Sequence, residues 1–196
     1  MVTINEYQKE RFVSRIIRAL FNTVSAKRIA VLGFAFKKDT GDTRETAALT
    51  VVDRLLEEGA SVAIYDPIVE RKAVERDIQQ VLGRPKEAVQ WCAEVEEAAR
   101  GAHALVICTE WDEFKSLPYE KLYHLMEKPA HIFDGRLIVD VQRLRQIGFH
   151  VHSIGKADVV SSDVPSVSLV KQQQKEQKMS ASQQIAADKL IVDLAN

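Results

Sequence analysis

The chain has 196 residues, of which 46% are hydrophobic and 28% charged, enough for one domain with appendages and a full core. A net charge of -1 argues against a general nucleic-acid or membrane-surface binder, because such proteins usually carry an excess of positive charge. Only two cysteines occur, so a disulfide-rich scaffold is excluded. With a polar N-terminus and no long apolar run, the composition predicts a cytoplasmic protein that does not enter a membrane.

The first predicted element is an amphipathic helix over residues 6–21. Basic side chains occupy one side, and the apolar stripe on the other consists of Phe12, Val13, Ile16, Ile17, Leu20 and Phe21. A stripe of this width needs a surface to pack on. That surface could belong to the rest of this chain, to a second subunit, or to a further domain.

From residue 27 onward, apolar strands alternate with helical stretches. The run 28–34 is almost continuously apolar, as expected of a strand buried on both faces of a parallel sheet, and a helix follows over 47–56. Asp42 and Glu45 form a plausible capping pair before that helix. The other strands are predicted at 62–65, 89–92, 104–108, 131–134 and 149–154, and the other helices at 70–82, 94–100, 119–127 and 139–147.

Strands separated by helices imply right-handed βαβ crossovers. Residues 26–156 are therefore predicted to form an α/β domain, a Rossmann-like doubly wound parallel sheet with helices on both faces. The segment 157–196 differs in character, since its glutamine-rich centre contains almost no apolar residue, and it is predicted to be a flexible tail. Residues 186–194 could form a short amphipathic helix or a frayed end.

In an open α/β sheet, ligands bind beyond the carboxyl ends of the strands. The segment after the first strand, GFAFKKDTGDTRE from residue 33, lacks the G-x-G-x-x-G motif of dinucleotide sites. It places Lys37, Lys38 and Arg44 around a helix N-terminus instead. Cationic side chains and free backbone N–H groups favour a phosphate or diphosphate there, although the two lysines could also be ordinary solvated charges.

Two further strand ends carry charged residues. Arg136 follows the strand at 131–134, where its guanidinium could grip phosphate or sugar oxygens, or pair with a neighbouring carboxylate. Asp66 stands where NAD enzymes keep a ribose-binding acid. Without the glycine motif, Asp66 is interpreted as a turn former ahead of Pro67.

No catalytic constellation stands out in the sequence. Cys92 and Cys108 lie within strands and are interpreted as small buried hydrophobes rather than nucleophiles. His150 and His152 share one face of the last strand at a spacing compatible with a metal, but two imidazoles without a third ligand are more often structural. The residues alone indicate an anion-binding α/β domain without a catalytic residue or a metal site.

The segment GFAFKKDTGDTRE resembles the C-terminal domain of the UDP-glucose 6-dehydrogenases, in their eukaryotic form. Four more segments match in the same order and at similar spacing, across residues 3–156: EYQKERFVSRIIRALFNT, EEGASVAIYDP, GAHALVICTEWDEFK and PAHIFDGR. The bacterial UDP-sugar and GDP-mannose dehydrogenases share the F-K-x-x-T-x-D-x-R core. Members of the family oxidise UDP-glucose twice with NAD, giving UDP-glucuronate.

The resemblance implies roles for four residues. Phe36 and Lys37 would contact the UDP-sugar substrate, with Lys37 on the phosphate side. Arg136 would contribute to the sugar-nucleotide site, often across a subunit boundary, and Arg44 would approach the NAD.

The resemblance also implies a domain organisation. Residues 1–25 would be the end of a central dimerisation region, 26–156 the UDP-sugar-binding domain and 157–196 a flexible tail, with a homo-oligomer expected in the full-length context. The family's nucleophilic cysteine, catalytic Lys and Asp, and glycine motif lie upstream of everything matched here. NAD is therefore expected to be bound mainly by an absent N-terminal domain, and the chain alone is expected to be inactive. The alternative is a non-catalytic module that binds a sugar nucleotide or alters subunit assembly.

Overall fold

A computed structural model describes residues 2–156, with side chains from residue 7 onward. The tail predicted over 157–196, with both alternatives for 186–194, lies outside these residues. The helices are α1 Val2–Ala19, α2 Ala47–Glu57, α3 Arg71–Gln80, α4 Val95–Ala99, α5 Tyr119–Leu125 and α6 Val141–Ile147. The strands are β1 Arg28–Leu32, β2 Ser61–Tyr65, β3 Val89–Trp91, β4 Ala104–Ile107, β5 His131–Asp134 and β6 His150–Ser153. Two short 3-10 helices, Lys86–Ala88 and Asp112–Lys115, are additional to the predicted elements.

All six strands are parallel, in the order β3-β2-β1-β4-β5-β6. The chain runs outward from β1 to β3, returns to β4, and then runs outward in the other direction. Because crossovers between parallel strands are right-handed in almost all proteins, this reversal is expected to place the connecting helices of the two halves on opposite faces. The predicted Rossmann-like doubly wound sheet is confirmed, and its switch point lies between β1 and β4.

Burial of the central strands on both faces explains why their sequences are continuously apolar. Residues 29–32 of β1 and all of β4 are fully buried, because helices cover both faces of the sheet. Alternation between apolar and polar residues is therefore absent there. The carboxyl ends of these two strands are adjacent, with Leu32 paired to Ile107, and this edge carries the loops that follow β1 and β4.

Helix α1 packs its apolar stripe on the rest of this chain. Phe12, Val13, Ile16 and Leu20 are buried in the common core, and α1 lies against α2. Phe21 is the exception, with 71% of its surface exposed. It follows the end of the helix and has a φ of 66°, so it no longer shares the helical stripe. Of the three surfaces that could cover this stripe, the structure shows the first.

Helix α2 begins differently from the prediction. The capping pair of Asp42 and Glu45 is wrong, since Thr46 is the N-cap and its Oγ1 accepts a hydrogen bond from the N–H of Ala48 at 3.3 Å. The carboxylate of Asp42 is engaged by Arg44 instead. Several predicted elements are also one to four residues too long or too short at their ends. None of the helices among residues 2–156 is long and apolar enough to span a bilayer.

Candidate functional site

Asp66, at the end of β2, organises the loops at the switch point. Its carboxylate is buried, with 4% of the residue exposed. Oδ2 accepts hydrogen bonds from the backbone N–H groups of Phe34 at 2.7 Å and Ala35 at 3.1 Å, in the loop after β1. The same oxygen accepts the indole N–H of Trp111 at 3.0 Å, in the loop after β4. One carboxylate therefore connects the loops after β1, β2 and β4, which lie at the carboxyl ends of the strands, where ligands bind in open α/β sheets.

The predicted role of Asp66 as a turn former is confirmed as well. Oδ1 accepts the N–H groups of Ile68 at 2.9 Å and Val69 at 2.8 Å, which closes the turn after Pro67. Both carboxylate oxygens are thus occupied by protein donors. A ribose hydroxyl would have to displace these donors. Asp66 is therefore not free to make the ribose contact that an acid at this position makes in NAD-binding sheets.

Gly33 shows a second departure from a dinucleotide site. It has a φ of +89°, and a Cβ at this position would lie 2.5 Å from the Cβ of Thr109. The hydroxyl of Thr109 donates to the carbonyl oxygen of Ala35 at 2.8 Å. Because Thr109 fills the space beside the glycine, the turn serves packing between the loops after β1 and β4. Together with the occupied carboxylate of Asp66, this turn departs from the free glycine turn and the free acid that Rossmann-type NAD sites use.

The loop after β1 presents Phe36 and Lys37 outward. It is closed by a hydrogen bond from the N–H of Phe36 to the carbonyl oxygen of Asp42, at 2.8 Å. The Phe36 side chain is largely solvent-exposed, with 49% of the residue accessible. Lys37 is also exposed, and no residue in the described part of the chain offers it a hydrogen bond or an ion pair.

The neighbouring cations of this loop are already paired. Lys38 contacts the carboxylate of Asp112 at 2.9 Å, and Arg44 contacts that of Asp42 at 2.7 Å. The hydrogen bond from Arg44 lowers the pKa of Asp42 to about 2. The Arg44 side chain is 86% exposed, and its described contacts are with Asp42.

Arg136 is held by the buried carboxylate of Asp134, at the end of β5. Oδ1 of Asp134 accepts the backbone N–H of Arg136 at 2.9 Å, and Oδ2 accepts those of Ile138 at 2.9 Å and Val139 at 3.1 Å. The Arg136 guanidinium forms an ion pair with Glu110, from the loop after β4. Of the two interpretations of Arg136, the structure shows pairing with a neighbouring carboxylate.

The loop after β4 links the two sides of the site through its acidic residues. Glu110 pairs with Arg136, while Asp112 pairs with Lys38 and Lys115, whose hydrogen bonds lower the pKa of Asp112 to about 2. The pKa of Lys38 is raised mainly by Asp112, and Glu110 contributes through its charge. The edge of the sheet therefore brings Arg136 and the loop after β1, residues 33–46 (the Lys37 loop), to the same acidic segment. Sequence patterns alone do not indicate these ion pairs.

The two cysteines are not activated. Burial raises the pKa of Cys92 to about 11 and that of Cys108 to about 12. Since the thiolate is the nucleophile, neither side chain is prepared for covalent chemistry at neutral pH. Both lie buried in or beside the sheet, as the sequence predicts.

The histidines of the last strand belong to a packed cluster. His131 and His150 pair across β5 and β6, as do Phe133 and His152, so all four side chains share one face. Nδ1 of His131 lies 3.2 Å from Nε2 of His152, whose ring stacks on Phe133 with centroids 4.6 Å apart. Within residues 2–156, no group of three or more His, Cys, Asp or Glu side chains could hold a metal ion.

Comparison with known proteins places the chain in a family. The family model for the UDP-glucose/GDP-mannose dehydrogenase family, UDP binding domain, matches residues 30–141. A UDP-glucose 6-dehydrogenase of Drosophila melanogaster is 58% identical over 161 residues, which cover 80% of this chain and 34% of that protein. UDP-glucose 6-dehydrogenase 5 of Oryza sativa is 49% identical over 183 residues, covering 85% and 38%. This chain therefore spans about a third of the length of these curated relatives.

A solved structure shares the fold. The UDP-D-ManNAc dehydrogenase of Pyrococcus horikoshii is 30% identical, with a TM-score of 0.58, over 77% of this chain and 31% of that one. The family resemblance carried by GFAFKKDTGDTRE is confirmed, since the matched residues include that loop and extend from β1 to the start of α6. This chain belongs to the UDP-glucose/GDP-mannose dehydrogenase family and contains its UDP-binding domain.

Proposed function

We propose that this chain is the part of a UDP-glucose 6-dehydrogenase that binds the UDP portion of the substrate. The observation that carries the proposal is the state of Lys37. It is exposed and has no ion-pair partner among the described residues, whereas Lys38, Arg44 and Arg136 each contact a carboxylate. An ammonium group in this state can meet a phosphate oxygen without first breaking an ion pair.

Phe36 supports the same assignment. An exposed aromatic ring beside a free cation offers a stacking surface for a base next to a contact for its phosphate. The loop that carries both residues is fixed at Phe34 and Ala35 by Asp66. Its binding geometry is therefore prepared before the ligand arrives, which reduces the entropy lost on binding.

When the ligand binds, Arg136 would exchange its carboxylate partner for an oxygen of the ligand. Its guanidinium is paired with Glu110, and both side chains are partly exposed. A diphosphate or sugar oxygen can replace or share that carboxylate through charge-assisted hydrogen bonds. Glu110 would then act as a placeholder that keeps the guanidinium oriented toward the site.

Oxidation of UDP-glucose would require residues other than those described. The raised pKa values of Cys92 and Cys108 and the occupied carboxylate of Asp66 support this view. We therefore expect NAD to be held mainly by another part of the full-length enzyme, with Arg44 reaching toward it from this domain. A mixture of the chain with UDP-glucose and NAD is expected to give no NADH absorbance, and sustained NADH formation would contradict this expectation.

Calorimetric titration tests the binding proposal. The chain is titrated with UDP, UDP-glucose and NAD, and the experiment is repeated on Lys37→Ala and Arg100→Ala. Arg100 is a matched control, because it is an exposed cation before β4, at the opposite edge of the sheet. We expect UDP and UDP-glucose to bind, Lys37→Ala to weaken both by roughly tenfold, and Arg100→Ala to leave them unchanged. Absence of UDP binding, or equal losses in both variants, would contradict the proposal.

A further inference from the structure

We propose that helix α1 sets the position of Arg136, with Phe12 as the positioning residue. The helix precedes the residues matched by the family model, which begin at residue 30. It nevertheless reaches the loop after β5 by two separate routes. The role of Arg136 in UDP binding rests on the proposed function, whereas the position of its loop can be measured without a ligand.

The first route is direct packing against Gly135. A Cβ at Gly135 would lie 3.3 Å from Cζ and 3.5 Å from Cε1 of Phe12, and 2.8 Å from the carbonyl oxygen of Ile107. The N–H of Gly135 donates to that same carbonyl at 3.1 Å. The backbone immediately before Arg136 is thus enclosed between the end of β4 and the aromatic ring of α1, and the ring is buried.

The second route passes through β6. Arg15 donates from Nη1 to the carbonyl oxygen of Ser153 at 2.6 Å and from Nη2 to that of Lys156 at 2.8 Å. The next N–H, of Ile154, donates to the carbonyl oxygen of Asp134 at 3.0 Å. The side chain of Asp134 in turn holds the N–H of Arg136. A chain of hydrogen bonds therefore connects α1 to the amide of Arg136.

Both routes begin on one side of α1 and end within residues 134–136. Phe12 and Arg15 are three residues apart, so they lie on neighbouring positions of the helix surface. A shift or rotation of α1 would displace the Arg136 loop by both routes at once. The Lys37 loop has a different support, the carboxylate of Asp66, so the coupling is selective for one side of the site.

Amide hydrogen exchange on the full chain tests the coupling without a ligand. Phe12→Ala is expected to speed exchange of the Arg136 and Ile138 amides by roughly tenfold relative to those of Phe34 and Ala35. Ile16→Ala is the matched control, since Ile16 is fully buried one turn further along the same helix. It should show no such selectivity. Equal changes at both loops, or the same pattern in Ile16→Ala, would overturn the inference.

A milder variant keeps the test decisive if Phe12→Ala does not fold. Phe12→Leu retains an apolar side chain but removes the ring from Gly135, and it should show the same selective exchange at smaller amplitude. Unchanged exchange at Arg136 in a folded Phe12→Leu protein would also overturn the inference.

A double-mutant cycle separates positioning from general destabilisation. If Phe12 acts through Arg136, Phe12→Ala should weaken UDP binding by roughly threefold to tenfold in the wild-type background and have no effect in Arg136→Gln. Equal losses in both backgrounds would overturn the positioning role. If the wild-type chain does not bind UDP, the proposed function fails, and the exchange measurement alone decides the inference.

Discussion

Trp111 donates its indole N–H to the same oxygen of Asp66, Oδ2, that receives the N–H of Phe34. These residues come from the loops after β4, β2 and β1, which the sheet topology brings to one edge. A buried carboxylate with several donors is costly to alter, because each donor that loses its acceptor keeps its desolvation penalty. The start of the loop after β1, at Phe34 and Ala35, is therefore held by one buried side chain that comes from a different loop.

Asp66→Asn is expected to destabilise the fold. If the amide nitrogen replaces Oδ2, the donors of Phe34, Ala35 and Trp111 meet a group that cannot accept them, at a cost of roughly 2–4 kcal/mol. The free energy of unfolding in urea measures the loss. Trp111→Phe removes one donor and keeps an aromatic ring, so it should cost less than Asp66→Asn. A fully stable Asp66→Asn protein would show that the loops have another support.

Gly33→Ala tests the packing of the loops after β1 and β4. The new methyl group would lie 2.5 Å from the Cβ of Thr109, in addition to the strain of a positive φ. Gly83 is the matched control, since its φ is +64° and no atom lies within 4 Å of a Cβ there. We expect Gly83→Ala to cost about 1 kcal/mol and Gly33→Ala roughly 3 kcal/mol or more in urea unfolding. Equal costs would mean that Thr109 can move aside.

The sheet could be predicted because its signal is local and strong. Val31 and Val106 lie in apolar runs that are continuous because helices cover both faces, and the intervening helices show their own periodicity. The role of Asp66 could be predicted only in part. Its turn with Ile68 is local, but its partners Phe34 and Trp111 lie 32 and 45 residues away in the chain. No local sequence pattern predicts these contacts, because only the folded sheet brings the residues together.

Competition between local motifs explains the capping error. Asp42 and Glu45 have the spacing of a capping box, yet the Asp42 carboxylate bonds Arg44, which is closer in sequence and oppositely charged. Thr46 then caps α2 instead. The partner of Arg136 could not be predicted for a different reason. The sequence is compatible with a guanidinium that binds phosphate or sugar oxygens and with one that pairs with a neighbouring carboxylate, and the structure shows the pair with Glu110.

Glu110→Gln is expected to tighten UDP binding, if the proposed function holds. The change removes the carboxylate that occupies Arg136 and also the repulsion between that carboxylate and a phosphate. A partly exposed ion pair contributes up to about 1 kcal/mol, so the dissociation constant for UDP should fall roughly twofold to fivefold. Glu57→Gln is the control, because it loses an ion pair with Arg54 at the end of α2, at the opposite edge of the sheet. Weaker binding in Glu110→Gln would instead make Glu110 an essential support for Arg136.

His131 is expected to make the fold sensitive to acid. Burial, followed by the charges of His152, His150 and His103, lowers the pKa of His131 to about 4, below its usual 6.5. The unfolded chain therefore binds this proton more readily than the folded one. The contribution to stability is complete above about pH 6.5 and is lost as the pH falls toward 4, by a few kcal/mol at about 1.4 kcal/mol per pH unit.

Urea unfolding of the wild type and of His131→Phe between these pH values measures this loss of stability. The free energy of unfolding of His131→Phe should depend less steeply on pH, whereas that of His124→Gln, at an exposed histidine, should keep the wild-type slope. An equally steep loss in His131→Phe would assign the acid sensitivity to other groups.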